Sequence, residues 1–203
     1  MMFFDSPNPA PNPRRVRIFA HEKGITLPSQ MVSIIKREQK SPEFTALNPR
    51  GQTPALQLDD GTVIAESVAI CRYLEGVHPE PPLFGTGPLE QALVEMWSRR
   101  VEMILMPPIG AVWVHTHDFT AALPGRNAEW GAANRPRVEE ALRFFDASLS
   151  DREFLATEHY SIADILLLTT VDFAAFIGIA VPDDLAHLRG WHTRVSARPS
   201  AAA

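Results

Sequence analysis

NPRGQTPALQLDDGTVIAESVAI, Asn48 to Ile70, reads as a strand, a hairpin turn and a helix entry. Thr53-Pro54 leads into the apolar pair Ala55-Leu56, Asp60-Gly61 is a hairpin signal, and Val63-Ile64 runs into Glu66-Ser67 at the head of a helix expected over Ser67 to Glu75. Proline cannot donate to a ladder, so Pro54 belongs at a strand's first residue or in a tight turn, where a cis bond would bare the Thr53 backbone. Its N–H and C=O would then pair with an extended guest peptide by strand addition. At the other end, a helix start leaves N–H groups unpaired and partly positive, so Ser67 can hold a carboxylate while Glu66 meets an ammonium. The competing account is that helix's own side-chain capping.

Together these residues resemble the glutathione-binding half of a glutathione transferase, where N-P-x-G-x-x-P-x-L precedes E-S-x-A-I. The resemblance implies glutathione as cosubstrate, bound by Thr53, Pro54, Glu66 and Ser67. It places Gln39 and Lys40 beside the glycyl carboxylate, where a lysine makes electrostatic sense, with Gln52 as a secondary contact near the cysteinyl backbone.

Composition bounds the alternatives. The chain has 203 residues, 45% hydrophobic and 21% charged, enough to bury a good core and too little charge for disorder. A net charge of -5 argues against nucleic acid, and Arg14-Arg15-Val16-Arg17 is too short for a binding stripe and is expected on a solvated helix face. Cys71 is the only cysteine, which excludes an internal disulfide or a C-x-x-C pair, and its helical neighbours Ile70 and Leu74 suit a buried small hydrophobe. No signal-peptide pattern opens the chain and no run approaches the ~20 apolar residues that cross a bilayer, so a cytosolic protein without membrane contact is expected.

In order, Phe3-Phe4 suggests a strand, Ser6 to Pro13 a turn, Pro13 to Lys23 a helix stopped by Gly24, Gln30 to Ile35 a strand and Pro42 to Leu47 a helix. With the opening unit this is a thioredoxin-like α/β layout over residues 1–77. Residues 78–88 are dense in breakers and read as a linker, and 89–203 as an all-helical domain for the hydrophobic substrate. Its helices are expected at Leu89 to Met106, Ile109 to His117, Glu129 to Leu149, Ser161 to Phe176 and Trp191 to Arg198, with Pro107-Pro108 kinking or breaking the first. Ser161-Ile162-Ala163-Asp164 has the spacing of a reciprocal cap, and Phe144, Phe145, Phe173 and Phe176 are assigned to core.

Activation of the thiol departs from the common pattern. Aligning Arg15-Val16-Arg17-Ile18 with the R-V-R-I of serine-type transferases puts Ala10 at the serine position, and Ser6 is four places too early. Asn12 is a helix cap, a thiolate donor, or both. Lowering a thiol of pKa ~8.5 by two units needs roughly 3 kcal/mol. A helix N-terminus gives up to ~2 and one hydrogen bond to a charge ~1.5–3 kcal/mol, so helix and amide suffice without a hydroxyl.

On one helix His115 and His117 face differently and are poor joint metal ligands, so no metal is expected. The missing Tyr, Ser or Cys, P-x-P-x-x-V-R-I, the histidine-bearing helix and E-W-G-x-A-N-R-P resemble the atypical fungal-type transferase class. The resemblance implies a water held by the second domain, a role carried to His115 and His117, and a homodimer. Conjugation of glutathione to a hydrophobic electrophile is the expected activity, with Met103, Met106, Trp113 and Phe119 as acceptor walls. Glutathione-dependent disulfide or peroxide reduction, suggested by the likeness of Ala10-Pro11-Asn12 to the nu-class turn, and a non-enzymatic glutathione-binding interaction protein are the alternatives.

Overall fold

Four short strands form one mixed sheet in the order β2-β1-β3-β4. β1 (Met2–Asp5) runs parallel to β2 (Ser29–Met31) and antiparallel to β3 (Ala55–Gln57), which forms a hairpin with β4 (Val63–Ala65) through the Asp60-Gly61 turn. The computed structural model describes residues 1–203 and divides them into two units, Met1–Leu83 with Arg198–Ala203, and Phe84–Ala197. The division falls inside the expected linker run. The last six residues, which the sequence division places in the helical domain, pack with the first unit.

The first unit covers its sheet with α1 (Pro11–Glu22), α2 (Pro42–Leu47) and α3 (Ser67–Val77). Phe4, Val32, Phe44 and Ala55 make one buried cluster, with the Phe4 and Phe44 rings edge-to-face at 5.9 Å. Val16, Ile18 and Phe19 of α1 and Ile70, Cys71 and Leu74 of α3 are buried to the last few per cent. Burial pushes the Cys71 thiol far above its usual range, so it is an inert core group.

Two expectations about α1 change. The helix begins at Pro11 instead of Pro13, with Ala10 as its cap residue, so Asn12 sits inside the first turn and is no cap. The basic cluster is also not a solvated face: Arg15 is buried, and Arg17 reaches back to the end of β1. Lys23, buried at the end of α1, pairs with Glu75 at 2.5 Å and donates to the carbonyls of Pro79 and Pro81. At Glu22 the carboxylate accepts Arg198 Nε and Nη2, both at 2.8 Å, and Ser200 Oγ, clasping the chain's end to α1. The second strand is shorter than the β-branched run suggested: after Met31 only Val32 N–H still reaches β1, at Asp5 O, and the chain turns at residues 34–37.

The second unit is helical: α4 (Gly87–Arg100), α5 (Met106–Thr116), α6 (Ala128–Ala133), α7 (Arg135–Ser148), α8 (Ile162–Phe176) and α9 (Ala186–Ser196). Pro107-Pro108 neither breaks nor ends the first helix. A π-helical turn over Val101–Leu105 joins α4 to α5, with Met106 N–H donating to Val101 O five residues back, which absorbs the two missing proline donors. The run from Glu129 to Leu149 is two helices instead of one, because Pro136 opens a new first turn after Asn134. At Gly131 any Cβ would lie 2.5 Å from Thr116 Cγ2, so glycine lets α6 lie against the last turn of α5. The last helix runs earlier than Trp191 to Arg198, starting at Ala186.

α8 is the core of this unit. Fully buried Asp164 accepts Leu155 N–H (2.8 Å), Trp191 Nε1–H (3.0 Å), Ser161 N–H (3.1 Å) and Ser161 Oγ–H (3.0 Å), the reciprocal cap the sequence indicates. Burial raises its pKa, and these donors work against that rise. No helix of the chain is long and apolar enough to cross a membrane.

Candidate functional site

The register of the sheet decides which residues meet. Ala55 pairs with Ala65 across the hairpin and with Phe4 across β1, so two residues beyond the last rung Thr53 lies opposite Ser67 on one side and Ser6 on the other. Ser6 is likewise level with Val32, since Asp5 pairs with Met31. One end of the sheet therefore lines up Val32, Ser6, Thr53 and Ser67. At this end β1 hands over to α1 and β4 to α3, the place where open α/β sheets keep ligands.

Thr53 is built to present its backbone. The Thr53-Pro54 bond is cis, and the ladder begins only at Ala55, leaving Thr53 N–H and C=O without a backbone partner. Its hydroxyl points inward to Ser6 Oγ at 2.7 Å, and Ser6 Oγ donates to Val32 O at 3.1 Å. Ser6 is 0% exposed, so the hydroxyl nearest the site in sequence is committed to the scaffold and unavailable to a thiol.

Across the hairpin end, Glu66 turns the chain from β4 into α3 with φ 68° and ψ 122°, a sparsely populated positive-φ conformation costing a non-glycine residue about 1–3 kcal/mol. No side chain caps α3, and Ile70 is the first residue whose N–H finds a carbonyl, that of Glu66 at 3.0 Å. The competing capping account therefore fails. Ser67, Val68 and Ala69 leave three amides at the positive end of an eleven-residue helix, with Ser67 buried and Glu66 exposed.

The third wall is the segment around a 3₁₀ turn at Glu38–Lys40. Lys40 Nζ donates to Arg50 O at 3.0 Å, Arg50 Nε to Gln52 Oε1 at 3.1 Å and Asn48 Nδ2 to Gln52 O at 2.8 Å. Gly51 makes this possible: with φ of 58°, a Cβ there would sit 2.6 Å from Gln39 O. Gln39 Oε1 is buried with no hydrogen-bond partner. Gln39, Lys40 and Gln52 are thus brought into one structure.

At the first turn of α1, Pro11 and Pro13 carry no N–H, so Asn12 is the one residue of that turn with a backbone donor. Its Oδ1 is buried without a partner, and its Nδ2 makes no hydrogen bond within the protein. Arg17 fixes this turn from α1, donating to Asp5 Oδ1 (2.5 Å), Ser6 O (3.1 Å) and Asn8 Oδ1 (2.5 Å).

The remaining sequence candidates lie in the second unit. His117 ends α5, and its Nδ1 accepts Phe119 N–H at 3.1 Å; His115 Nδ1 accepts Asn127 N–H, also at 3.1 Å. Each ring therefore carries its proton on Nε2, and each caps a local loop. Trp113 stacks with Phe119 (5.5 Å) and packs on His117 (4.5 Å), Phe173 (5.3 Å) and Phe176 (5.9 Å). Phe119 and Phe176 are about half exposed, so this is an open aromatic surface. Phe173 and Phe176 belong to it instead of the core, and Phe144 is also part-exposed; of the four phenylalanines assigned to core only Phe145 is fully buried. Met103 is 72% exposed on the π-helical turn, and Met106 is half-buried beyond it. The titratable groups of the chain gather into no metal-binding cluster.

Strand pairing, not a local pattern, brings Ser6 to Thr53, and Asp5 and Arg17 join through Ser6, so no signal in the sequence gives Ser6 this inward role or singles out the other two. Phe173 and Phe176 carried a usable signal: three residues apart, they end the apolar face of a helix.

A thioredoxin-like unit with an open peptide edge, followed by an all-helical unit, is the two-part arrangement of a glutathione-using transferase. The chain matches the family profiles described as "Glutathione S-transferase, N-terminal domain" over residues 10–77 and "Glutathione S-transferase, C-terminal domain" over 104–199. It is 37% identical over 210 residues to Glutathione S-transferase 2 of Saccharomyces cerevisiae, covering 98% of this chain and 87% of that protein. The crystal structure of Gtt2 from Saccharomyces cerevisiae superposes with a TM-score of 0.92 at 35% identity, over 100% of this chain and 99% of that one. A glutathione S-transferase of class Gtt2 from Vibrio parahaemolyticus gives 0.86 at 34% identity, covering 98% and 94%. The protein belongs to the glutathione S-transferase family and is a glutathione transferase.

Proposed function

We propose that the protein binds reduced glutathione in an extended form along Thr53 and conjugates its sulfur to hydrophobic electrophiles, working as a homodimer. The observation that carries this reading is the pairing of the unpartnered Thr53 amide and carbonyl with the uncapped start of α3, opposite each other at one end of the hairpin. The cysteinyl backbone pairs with Thr53 as an added strand. The γ-glutamyl carboxylate takes the Ser67 hydroxyl and the α3 amides, and its ammonium takes Glu66. The glycyl carboxylate falls to Lys40, with Gln39 and Gln52 beside it.

With alanine at position 10, the thiol is ionised by the positive end of α1 and by Asn12, whose side-chain amide donates to the sulfur. Alkylation then uses the thiolate as nucleophile, the C–S bond forming as the electrophile's leaving group departs with its electron pair. Trp113 and Phe119, extended by Phe173 and Phe176 of α8, give an apolar surface for the electrophile, with Met103 on the π-helical turn and Met106 at the start of α5. His115 and His117, whose Nδ1 atoms accept local backbone amides, keep Nε2–H as a donor to a water.

Steady-state conjugation of a chloronitrobenzene, with calorimetric binding of reduced glutathione, tests the reading. No heat at millimolar glutathione refutes binding. Binding without turnover of the chloronitrobenzene, a mixed disulfide or an organic peroxide refutes catalysis and leaves a binding protein.

A further inference from the structure

We infer that Ser6 is a positioning residue for glutathione, acting through Thr53 on the affinity for the tripeptide and leaving the acidity of the thiol alone; this rests on the glutathione-binding reading above. Four observations meet at this residue. Ser6 lies one place past the end of β1, in register with Thr53 on one side and Val32 on the other; Val32 N–H still donates to Asp5 O at 2.8 Å, but no ladder rung remains to tie Thr53 to this end of the sheet. It is 0% exposed, and each of its polar atoms is engaged: N–H to Asp5 Oδ1 at 2.7 Å, C=O to Arg17 at 3.1 Å, and Oγ to both Val32 O and Thr53 Oγ1.

The direction of the hydroxyl chain follows from proton counting. Ser6 has one hydroxyl hydrogen, and Val32 O can only accept, so that hydrogen goes to Val32 and Thr53 must donate to Ser6. The chain runs Thr53 to Ser6 to Val32. Its consequence is that the Thr53 side chain is held inward, fixing the plane of a backbone that no sheet bond fixes. Without Ser6 Oγ, the Thr53 hydroxyl has a part-buried hydrogen and no acceptor, and the residue turns to find one.

A hydroxyl this close to the site also invites a second role, donation to the thiolate. The geometry excludes it, since the single hydrogen is committed and the oxygen is out of solvent reach. The two roles separate cleanly in kinetics. A residue that positions the peptide anchor raises KM for glutathione and leaves kcat and the pH profile in place, whereas a thiolate donor shifts the profile.

The test uses Ser6→Ala, Thr53→Val, the double variant and Ser6→Cys in the full chain, with calorimetric Kd and KM for glutathione, kcat at saturation, the pH dependence of kcat/KM and the thermal midpoint. Each single variant is expected to raise Kd and KM about three- to tenfold, the loss of one hydrogen bond in the chain, with kcat within about twofold. The double variant should be no worse than the poorer single one, because both remove the same link. Ser6→Cys, which keeps a weak donor and acceptor, should fall between alanine and the parent protein. Unchanged Kd in a folded Ser6→Ala protein overturns the inference, as does a shift of the pH profile or full additivity in the double variant. Should Ser6→Ala fail to fold, the part-exposed Thr53→Val decides by the same readouts. A parent protein that binds no glutathione overturns the underlying reading instead, which the first titration shows.

Discussion

Replacing Asn12 by alanine tests thiol activation most directly. Pro11 and Pro13 strip α1 of two of its first three donors, so the positive end of the helix speaks through Asn12 alone, by its backbone N–H and its Nδ2. Alanine keeps the backbone donor and the helix charge and removes the side-chain donor. A hydrogen bond to a charged group contributes about 1.5–3 kcal/mol, and one pKa unit is 1.36 kcal/mol, so the bound thiol should become less acidic by about 1–2 units. Because ionisation in the complex lies below the free thiol's ~8.5, binding releases a proton. Affinity therefore strengthens with pH between the bound value and ~8.5 and is flat outside that window. In Asn12→Ala the window should narrow from its acid side.

The assay is the ultraviolet absorbance of the thiolate in the binary complex against pH, paired with kcat/KM over the same range. At saturating glutathione, with a parent bound value about two units below ~8.5, kcat should fall about three- to twenty-fivefold at neutral pH and converge on the parent kcat at high pH, whereas kcat/KM stays lower there because the variant holds the thiolate more weakly. Structural damage would look different. Oδ1 of Asn12 is a buried acceptor without a partner, and such a group costs about 1–3 kcal/mol in the fold. Removing it should leave the thermal midpoint unchanged or higher. A variant that binds glutathione, keeps its thiol pKa and loses activity only with stability would refute the argument.

Gly51→Ala should destabilise the protein by about 1–3 kcal/mol and raise KM for glutathione, since φ of 58° and a backbone oxygen at 2.6 Å force Gln39 and Lys40 outward; thermal melts and kinetics check it. Asp164→Asn should cost about 2–3 kcal/mol, because its amide nitrogen faces the Ser161 N–H where a carboxylate oxygen accepted it, as chemical denaturation would show. At Glu22, burial acts to raise the pKa but is outweighed by the bonds from Arg198 and Ser200, and the net shift is downward. Its contribution is therefore whole above about pH 4.3 and lost as pH falls through the lowered folded value, so carboxypeptidase should attack the C-terminus faster in acid, and Glu22→Gln should remove that pH dependence.

What the sequence made legible was what local patterns encode. The Asp60-Gly61 turn, the helix starting at Ser67 and the cap at Ser161 and Asp164 each rest on residues within a few places of one another, and all three stand in the structure. Errors arose where two local rules competed. Pro107-Pro108 as a breaker lost to a π-helical turn that needed no donor from either ring, whereas Pro136 did split a helix, because Asn134 before it had no such register to fall back on. Arg15 was read as solvated from its charge, and it lies buried in α1.

The deeper gap concerns contacts that only pairing creates. Ser6 and Thr53 are 47 residues apart, and their meeting depends on β1 lying beside β3 in one register; a slip of one residue would turn the Ser6 hydroxyl to the opposite face. Ser6 is the hydroxyl nearest the activating position along the chain, yet it acts inward, on Thr53 and Val32, which its place in the sequence does not encode. The peptide edge needs Thr53 rigid and its backbone unpaired at once. A ladder bond would supply rigidity only by consuming the donor and acceptor the ligand needs, so rigidity has to come from the side chain, and a hydroxyl on the neighbouring strand is the smallest group that can give it.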